Sequence, residues 1–209
     1  MLLIKSLNEF PLKPYLETFS EICLNSNEYQ GHGWGIAYLS DKSIKVYKNI
    51  NPIWEHDFQL FGYTTFLMAH ARSAFKNNGL TTDNNMPFFD GKHIFLFNGE
   101  LNKVKISIKG RTGAEKIFNF IKRFNIKDME SAFHKAISHI QKRTVYIKAM
   151  NIIMSDITNI YLCSIFNQQP DYYTLYMRQE NGLLIICSEK FPPGSFCHKI
   201  KNRTIKRIK

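Results

Sequence analysis

Two short segments carry the residues best suited to chemistry, and the first of them contains His70 and Arg72. The run AHAR occupies residues 69–72, and alternation along a strand puts His70 and Arg72 on one face. A guanidinium close to a partly buried strand needs an anionic partner, because a buried unpaired charge is costly. That partner is either a ligand carboxylate, gripped by the planar guanidinium, or an acidic side chain in a structural salt bridge.

The second segment is Asn98-Gly99, which follows the apolar run at residues 94–97. Asn-Gly at the end of a strand is first of all the sign of a tight hairpin turn. The functional interpretation is an oxyanion hole, because an Asn amide and a Gly backbone N–H can both donate to a developing negative oxygen. The residues alone leave both interpretations open.

A third segment, GHGWG at residues 31–35, places three glycines around Trp34. Glycines allow the backbone an unusual, closely packed path. An ordinary tight turn leading into a strand is the plainer explanation of the same residues.

Hydrophobic periodicity predicts the elements that must position these segments. Helices are predicted at residues 14–24, 112–124 and 128–141, with Asp128 as the N-cap of the last. Strands followed by two helices and then strands favour antiparallel sheets with helices outside them. The predicted strands cover residues 1–4, 64–71, 93–97, 145–154, 159–166, 172–177 and 183–187, with a hairpin of 36–39 and 43–47 around Asp41-Lys42.

In their order and spacing these segments resemble the class II glutamine amidotransferases, which are N-terminal nucleophile amidohydrolases, and most closely the stand-alone type. The resemblance runs over nearly the whole chain. It rests on GWGIAY at 33–38, AHAR at 69–72, NMPF at 85–88, FNG at 97–99, Asp156, DYY at 171–173 and SE at 188–189.

The resemblance implies an α+β fold, a four-layer α/β/β/α sandwich of two antiparallel sheets. It also implies hydrolysis of the glutamine side-chain amide to glutamate and ammonia, without a cofactor or a metal. Arg72 would bind the α-carboxylate, with His70 and Trp34 as further substrate-binding candidates, and Asn98 and Gly99 would form the oxyanion hole. The nucleophile would be a cysteine directly after the initiator methionine, with its own α-amino group as the base.

Four positions depart from the pattern of that family. Leu2 stands where the nucleophilic cysteine is expected, unless that cysteine precedes Met1. Gly113, a further substrate-binding candidate, stands where the family usually has an acid that holds the substrate α-amino group. Met86 replaces a common histidine, and His32 replaces a common aspartate.

Two explanations of these departures compete. Either the sequence starts a few residues downstream of the nucleophile, or the protein is a non-catalytic relative that binds an amino acid or regulates a partner on the same fold. An enzyme with an altered amide substrate lies between them. The expected ligand is glutamine or a related amino-acid amide, and an ammonia-accepting partner protein is left open.

Composition sets the outer bounds of function. The 209 residues form a single predicted domain, residues 1–198, followed by a basic tail, residues 199–209, that holds six of the charges behind the net +11. The tail is interpreted as a frayed terminus, and nucleic-acid binding is disfavoured because no known reader motif accompanies the charge. Four scattered cysteines and no signal or membrane-spanning segment predict a cytoplasmic protein with reduced thiols.

Overall fold

The computed structural model describes residues 1–74, 79–125 and 128–209. The chain divides into two compact units, Met1–Ile94 with Leu175–Lys199 and Phe95–Thr174 with Ile200–Lys209. In chain order the elements are β1 (Leu2–Pro11), α1 (Leu12–Leu24), β2 (Trp34–Ser40), β3 (Ser43–Asn49), β4 (Tyr63–Ala71), β5 (Phe88–Phe89), β6 (Ile94–Val104), α2 (Gly113–Lys122), α3 (Met129–Lys142), β7 (Thr144–Ser155), β8 (Ile160–Phe166), α4 (Pro170–Tyr173), β9 (Tyr176–Glu180), β10 (Leu183–Cys187), β11 (His198–Lys199) and β12 (Thr204–Ile208).

The first unit contains an antiparallel sheet in the strand order β11-β9-β10-β1-β4-β2-β3. Strand β1 lies at its centre, and Leu2 pairs with Cys187 on one side and Ala69 on the other. The two-residue turn between β2 and β3 is made by Asp41 and Lys42, both with positive φ, as the twist of a hairpin prefers. The predicted hairpin is confirmed.

Helix α1 supplies the apolar layer of the first unit. Its buried side chains Leu12, Leu16, Phe19 and Cys23 recur at helical spacing and belong to one cluster with apolar residues of β1, β2, β4 and β10. The helix begins at Leu12, two residues before the predicted start. Burial of this stripe is what holds the sheet and helix together.

In the second unit, β12, β8, β7 and β6 lie side by side in that order. Helices α2 and α3 pack against each other, and α3 contacts β7 and β8. Both helices are capped by side chains that accept from backbone N–H groups. Thr112 Oγ1 accepts from Glu115 at 3.1 Å, and Asp128 Oδ1 accepts from Ser131 at 2.7 Å, which confirms Asp128 as an N-cap.

Three predicted elements are wrong. Strand β6 continues through Asn98 and Gly99 to Val104, so the Asn-Gly pair is not a hairpin turn. Residues 170–173 form the helical turn α4, so the strand predicted at 172–177 begins only at Tyr176. The basic tail is not a frayed terminus, because Thr204–Ile208 pairs with β8 from Thr204↔Ser164 to Ile208↔Ile160.

Within the described ranges, no helix is both long and apolar enough to cross a bilayer. The same ranges contain no group of three or more His, Cys, Asp or Glu side chains arranged to hold a metal ion.

Candidate functional site

Arg72 lies just beyond the end of β4, beside the glycine-rich segment. The backbone N–H of His32 donates to the Arg72 carbonyl at 3.0 Å, and the Arg72 N–H donates to the Gly33 carbonyl at 2.9 Å. An isolated parallel bridge joins Gly31 to Arg72. Two segments that the sequence singled out separately therefore form one local structure in the first unit.

The guanidinium of Arg72 is half-buried and directed by hydrogen bonds. Its Nη1 donates to the Gly79 carbonyl at 2.8 Å and lies 3.5 Å from Asn85 Oδ1. Burial lowers the pKa of Arg72 from its ordinary value, because a desolvated cation is disfavoured. A guanidinium can bind an anion such as a carboxylate through charge-assisted hydrogen bonds.

Asn85 is the buried residue that holds this arrangement together. Its side chain is fully buried, and Nδ2 donates to the Asn49 carbonyl at the end of β3 at 2.8 Å while Oδ1 faces Arg72. Gly33 has a φ of +97°, and a Cβ there would lie 2.7 Å from the Asn49 carbonyl oxygen. The sequence analysis placed Asn85 only in the NMPF motif; the available signal was a polar residue two positions before Pro87 in a loop.

His32 is tied to the same segment. Its Nδ1 accepts a hydrogen bond from the Ala74 N–H at 3.0 Å, so Nε2 carries the proton of the neutral ring. The ring packs edge-on against Tyr29 at 4.9 Å. This histidine therefore fixes the backbone that follows Arg72.

The other two predicted binding residues of the first unit are buried in the sheet. Trp34 is fully buried, with its ring against Tyr47, His56, Phe58 and Phe61 at centroid distances of 5.3, 4.9, 5.8 and 6.4 Å. His70 is buried on β4, paired with Gly35 of β2. Their roles in binding stay predictions.

The start of β1 shows what stands at the expected nucleophile position. Leu2 is fully buried between β4 and β10. The amino group of Met1 donates to Ser188 Oγ at 3.0 Å, and the Ser188 N–H donates to the Met1 carbonyl at 3.0 Å. The neighbouring Glu189 has a raised pKa because of burial.

The cysteine thiols do not offer a substitute for that nucleophile. Cys23, Cys163 and Cys187 are buried, and burial raises the pKa of all three, that of Cys23 to about 12. A thiol is nucleophilic as the thiolate, which such burial suppresses. Only Cys197 is partly exposed among the four, and its Sγ lies 3.4 Å from Ser195 Oγ.

The second unit holds the remaining predicted residues. Asn98 and Gly99 are half-buried on β6. A Cβ on Gly99 would lie 2.6 Å from the carbonyl carbon of Ala149 and 3.1 Å from the Met150 nitrogen, so only glycine fits against this backbone. Gly113 is the first residue of α2, and a Cβ there would meet open space. The oxyanion-hole and substrate-binding roles stay predictions.

The comparisons with known proteins identify the fold. The chain matches glutamine phosphoribosylpyrophosphate (PRPP) amidotransferase from B. subtilis with a TM-score of 0.69 and 14% identity, covering 96% of this chain and 45% of that one. It matches a glutamine aminotransferase class-II domain protein from Silicibacter pomeroyi with a TM-score of 0.62 and 14% identity, over 96% of this chain and 90% of the other.

A third match is a predicted glutamine amidotransferase from Pseudomonas aeruginosa PA01, with a TM-score of 0.61 and 14% identity over 99% of this chain and 95% of the other. No protein-family model and no curated protein sequence matches the chain. The chain therefore has the fold of these solved structures, which confirms the predicted α+β class with two antiparallel sheets. It spans less than half the length of the B. subtilis protein.

Proposed function

We propose that this chain is a class II glutamine amidotransferase-like domain whose Arg72 binds the α-carboxylate of glutamine or a related amino-acid amide. The proposal rests on the position of the Arg72 guanidinium beside the glycine-rich segment. Hydrogen bonds to the Gly79 carbonyl and to Asn85 Oδ1 orient it there. The shared fold supports it, since the neighbours are described as glutamine amidotransferases. An oriented arginine fork is a suitable receptor for a carboxylate.

Binding is proposed for the 209-residue chain without hydrolysis. The first strand presents buried Leu2, which has no nucleophile, and the thiols of Cys23, Cys163 and Cys187 are buried with raised pKa values. A non-catalytic amino-acid-binding or regulatory role on the same fold is the second candidate, and the same buried Leu2 favours it. Ammonia chemistry would then require a form of the chain with a cysteine ahead of β1.

Thermal unfolding with defined ligands tests the binding step. Glutamine at about 100 times its Kd is expected to stabilise the chain by about 2.7 kcal/mol. The amide 4-aminobutanamide, which is glutamine without its α-carboxylate, is expected to give no shift. Equal shifts with both ligands, or none with glutamine, asparagine or glutamate, would contradict a carboxylate site at Arg72.

Two variants and one enzymatic assay complete the design. Arg72→Gln is expected to abolish the glutamine shift, whereas Arg178→Gln, at another arginine of the same unit, is expected to keep it. Ammonia release from glutamine is expected to be absent in the 209-residue chain, and measurable in a version carrying Met-Cys ahead of Met1. Ammonia release by the 209-residue chain without added residues would contradict the proposal that it binds glutamine without hydrolysing it.

A further inference from the structure

The formal net charge of the protein is distributed unevenly between the two units. The first unit contains 11 basic and 11 acidic residues, so its formal net charge is zero. The second unit contains 17 basic and 6 acidic residues, so 17 − 6 = +11, the whole net charge of the chain, falls on this unit. A charge this one-sided creates a field that attracts polyanions.

Most acidic side chains of the second unit already form ion pairs or hydrogen bonds with residues of the same unit. Glu100 pairs with Lys148 at 3.4 Å, Glu115 with Arg111 at 2.6 Å and Glu130 with Arg207 at 2.9 Å. Asp128 is occupied as the cap of α3, and Asp156 bonds to Asn159. The remaining acid, Asp171, is exposed on α4. The 17 basic residues of the second unit therefore far outnumber its six acidic residues.

The topology of the second sheet gathers six of these basic residues at one end. The end of β6 meets the start of β7, where the Lys105 N–H donates to the Arg143 carbonyl at 2.8 Å. The end of β8 meets β7 through Asn167, whose N–H donates to the Lys148 carbonyl at 2.9 Å. Arg203, just before β12, donates from Nη2 to Asn167 Oδ1 at 3.3 Å.

We call this surface the basic end. Along β7, the bond from Lys105 to Arg143 lies five residues from the bond between Asn167 and Lys148, which is about 16 Å at about 3.3 Å per residue. That length is about five stacked nucleotides at about 3.4 Å each. Its six basic side chains are all exposed: Lys103, Lys105, Lys142, Arg143, Lys201 and Arg203.

An aromatic side chain lies among these cations. Tyr146, at the start of β7, is 39% exposed, and its neighbour Val145 is 66% exposed. Cations that neutralise phosphates, with an aromatic ring on which a base can stack, are the combination that binds single-stranded nucleic acid without a sequence motif. Duplex binding would use the phosphates but not the ring.

We propose that the basic end of the second unit binds single-stranded nucleic acid through phosphate contacts and stacking on Tyr146. The sequence disfavoured a nucleic-acid partner because no known reader motif accompanies the charge, and it predicted the basic tail to be a frayed terminus. The pairing of β12 with β8 instead places Lys201 and Arg203 on a folded surface with four other cations. This proposal uses no residue of the Arg72 site and stands independently of it.

The test is fluorescence anisotropy of labelled dT12 and rU12 with the whole 209-residue chain at 50 to 300 mM salt. The triple variant Lys105→Gln, Lys142→Gln, Lys201→Gln is expected to flatten the salt slope by about 2, because each phosphate contact contributes about 0.7 to it. At 0.1 M salt the corresponding loss of affinity is about 100-fold.

The matched control removes three charges from the first unit. Lys45→Gln, Lys92→Gln, Lys190→Gln alters exposed lysines that are not part of the basic end, and it is expected to leave affinity within about 3-fold. An equal loss in both triple variants would overturn a localised site. Absence of binding to either oligonucleotide at 50 mM salt would overturn the proposal outright.

Variants of Tyr146 distinguish the binding of single-stranded nucleic acid from the binding of other polyanions. Tyr146→Ala is expected to weaken binding at least 5-fold and Tyr146→Phe to keep it, because stacking needs the ring and not the hydroxyl. Tyr63→Ala, at a ring 65% exposed on the first unit, is the control. Equal affinity for a duplex of the same length, or no effect of Tyr146→Ala, would contradict the single-strand assignment.

Discussion

Replacing Asn85 by alanine is expected to destabilise the first unit and to loosen Arg72 at the same time. The side chain is fully buried, and it donates to the Asn49 carbonyl at 2.8 Å and accepts from Arg72 Nη1 at 3.5 Å. A typical net hydrogen bond contributes about 1 kcal/mol, and leaving a buried carbonyl without its donor costs about 1–3 kcal/mol. The longer contact to Arg72 makes a smaller contribution, about 0.5 kcal/mol. We therefore expect a loss of about 2–4 kcal/mol.

The assay is chemical and thermal unfolding of the variant beside a matched control. For a chain of this size, each kcal/mol lowers Tm by about 2–4 °C, so Asn85→Ala is expected to melt about 4–16 °C lower. Asn25→Ala removes an exposed amide whose Nδ2 donates to the Glu21 carbonyl at 2.9 Å. Its effect is expected to stay within about 0.5 kcal/mol, as for most surface substitutions.

A double-mutant cycle connects this stability effect to the site. If Asn85 orients the guanidinium, Asn85→Ala and Arg72→Gln are expected to couple by at least about 0.5 kcal/mol, the range measured for residues in contact. Glutamine affinity is expected to fall in Asn85→Ala and to fall further in Asn85→Asp, whose carboxylate would compete for Arg72. Strict additivity together with unchanged glutamine affinity would refute the positioning role.

Three further predictions concern the framework. Gly99→Ala is expected to lower stability by about 1–3 kcal/mol, because its Cβ meets backbone that cannot yield, whereas Gly113→Ala, in open space at the start of a helix, is expected to raise it by about 0.5 kcal/mol. Thiol titration of the native chain is expected to label Cys197 rapidly and the other cysteines only after unfolding. Burial raises the pKa of Cys23 from its ordinary value of 9.0 to about 12, so the contribution of this thiol to stability is complete below pH 9 and falls as the pH rises toward 12. Asn202→Ala is expected to speed proteolysis of the last strand, because its amide makes 2.7 and 2.9 Å bonds that anchor it.

Each of these three predictions would be contradicted by a specific result. Equal stability of the two alanine variants would mean that the backbone around Gly99 adapts. Rapid labelling of more than one native thiol, or stability that rises between pH 9 and 12, would contradict the burial of Cys23. Proteolysis of the last strand at the same rate in Asn202→Ala and in the unmodified chain would show that strand pairing alone secures it.

Local chemistry explains why much of the fold could be predicted. The helical spacing of apolar residues in α1 and α3, the Asp128 cap and the Asp41-Lys42 turn are all signals within a few residues of each other. Such signals depend on short-range geometry, which the sequence displays directly. The order of the motifs then pointed to the fold that the comparisons confirm.

The remaining features depend on contacts between distant residues. Strand β6 passes through Gly99 because the Ala149 backbone, 50 positions along the chain, lies against it and leaves no room for a side chain. The last strand exists because it pairs with β8, about 40 positions earlier. The bonds of Asn85 to Asn49 and Arg72 likewise join separate loops, so no local pattern marks it as the organiser of the site.

Isothermal titration of glutamine into the 209-residue chain tests the central claim most directly. The account predicts a saturable 1:1 binding isotherm that Arg72→Gln abolishes and Arg178→Gln preserves, and no heat of binding with 4-aminobutanamide. An isotherm unchanged by Arg72→Gln, or saturable binding of the ligand that lacks the carboxylate, would contradict the assignment of Arg72 as the carboxylate-binding residue.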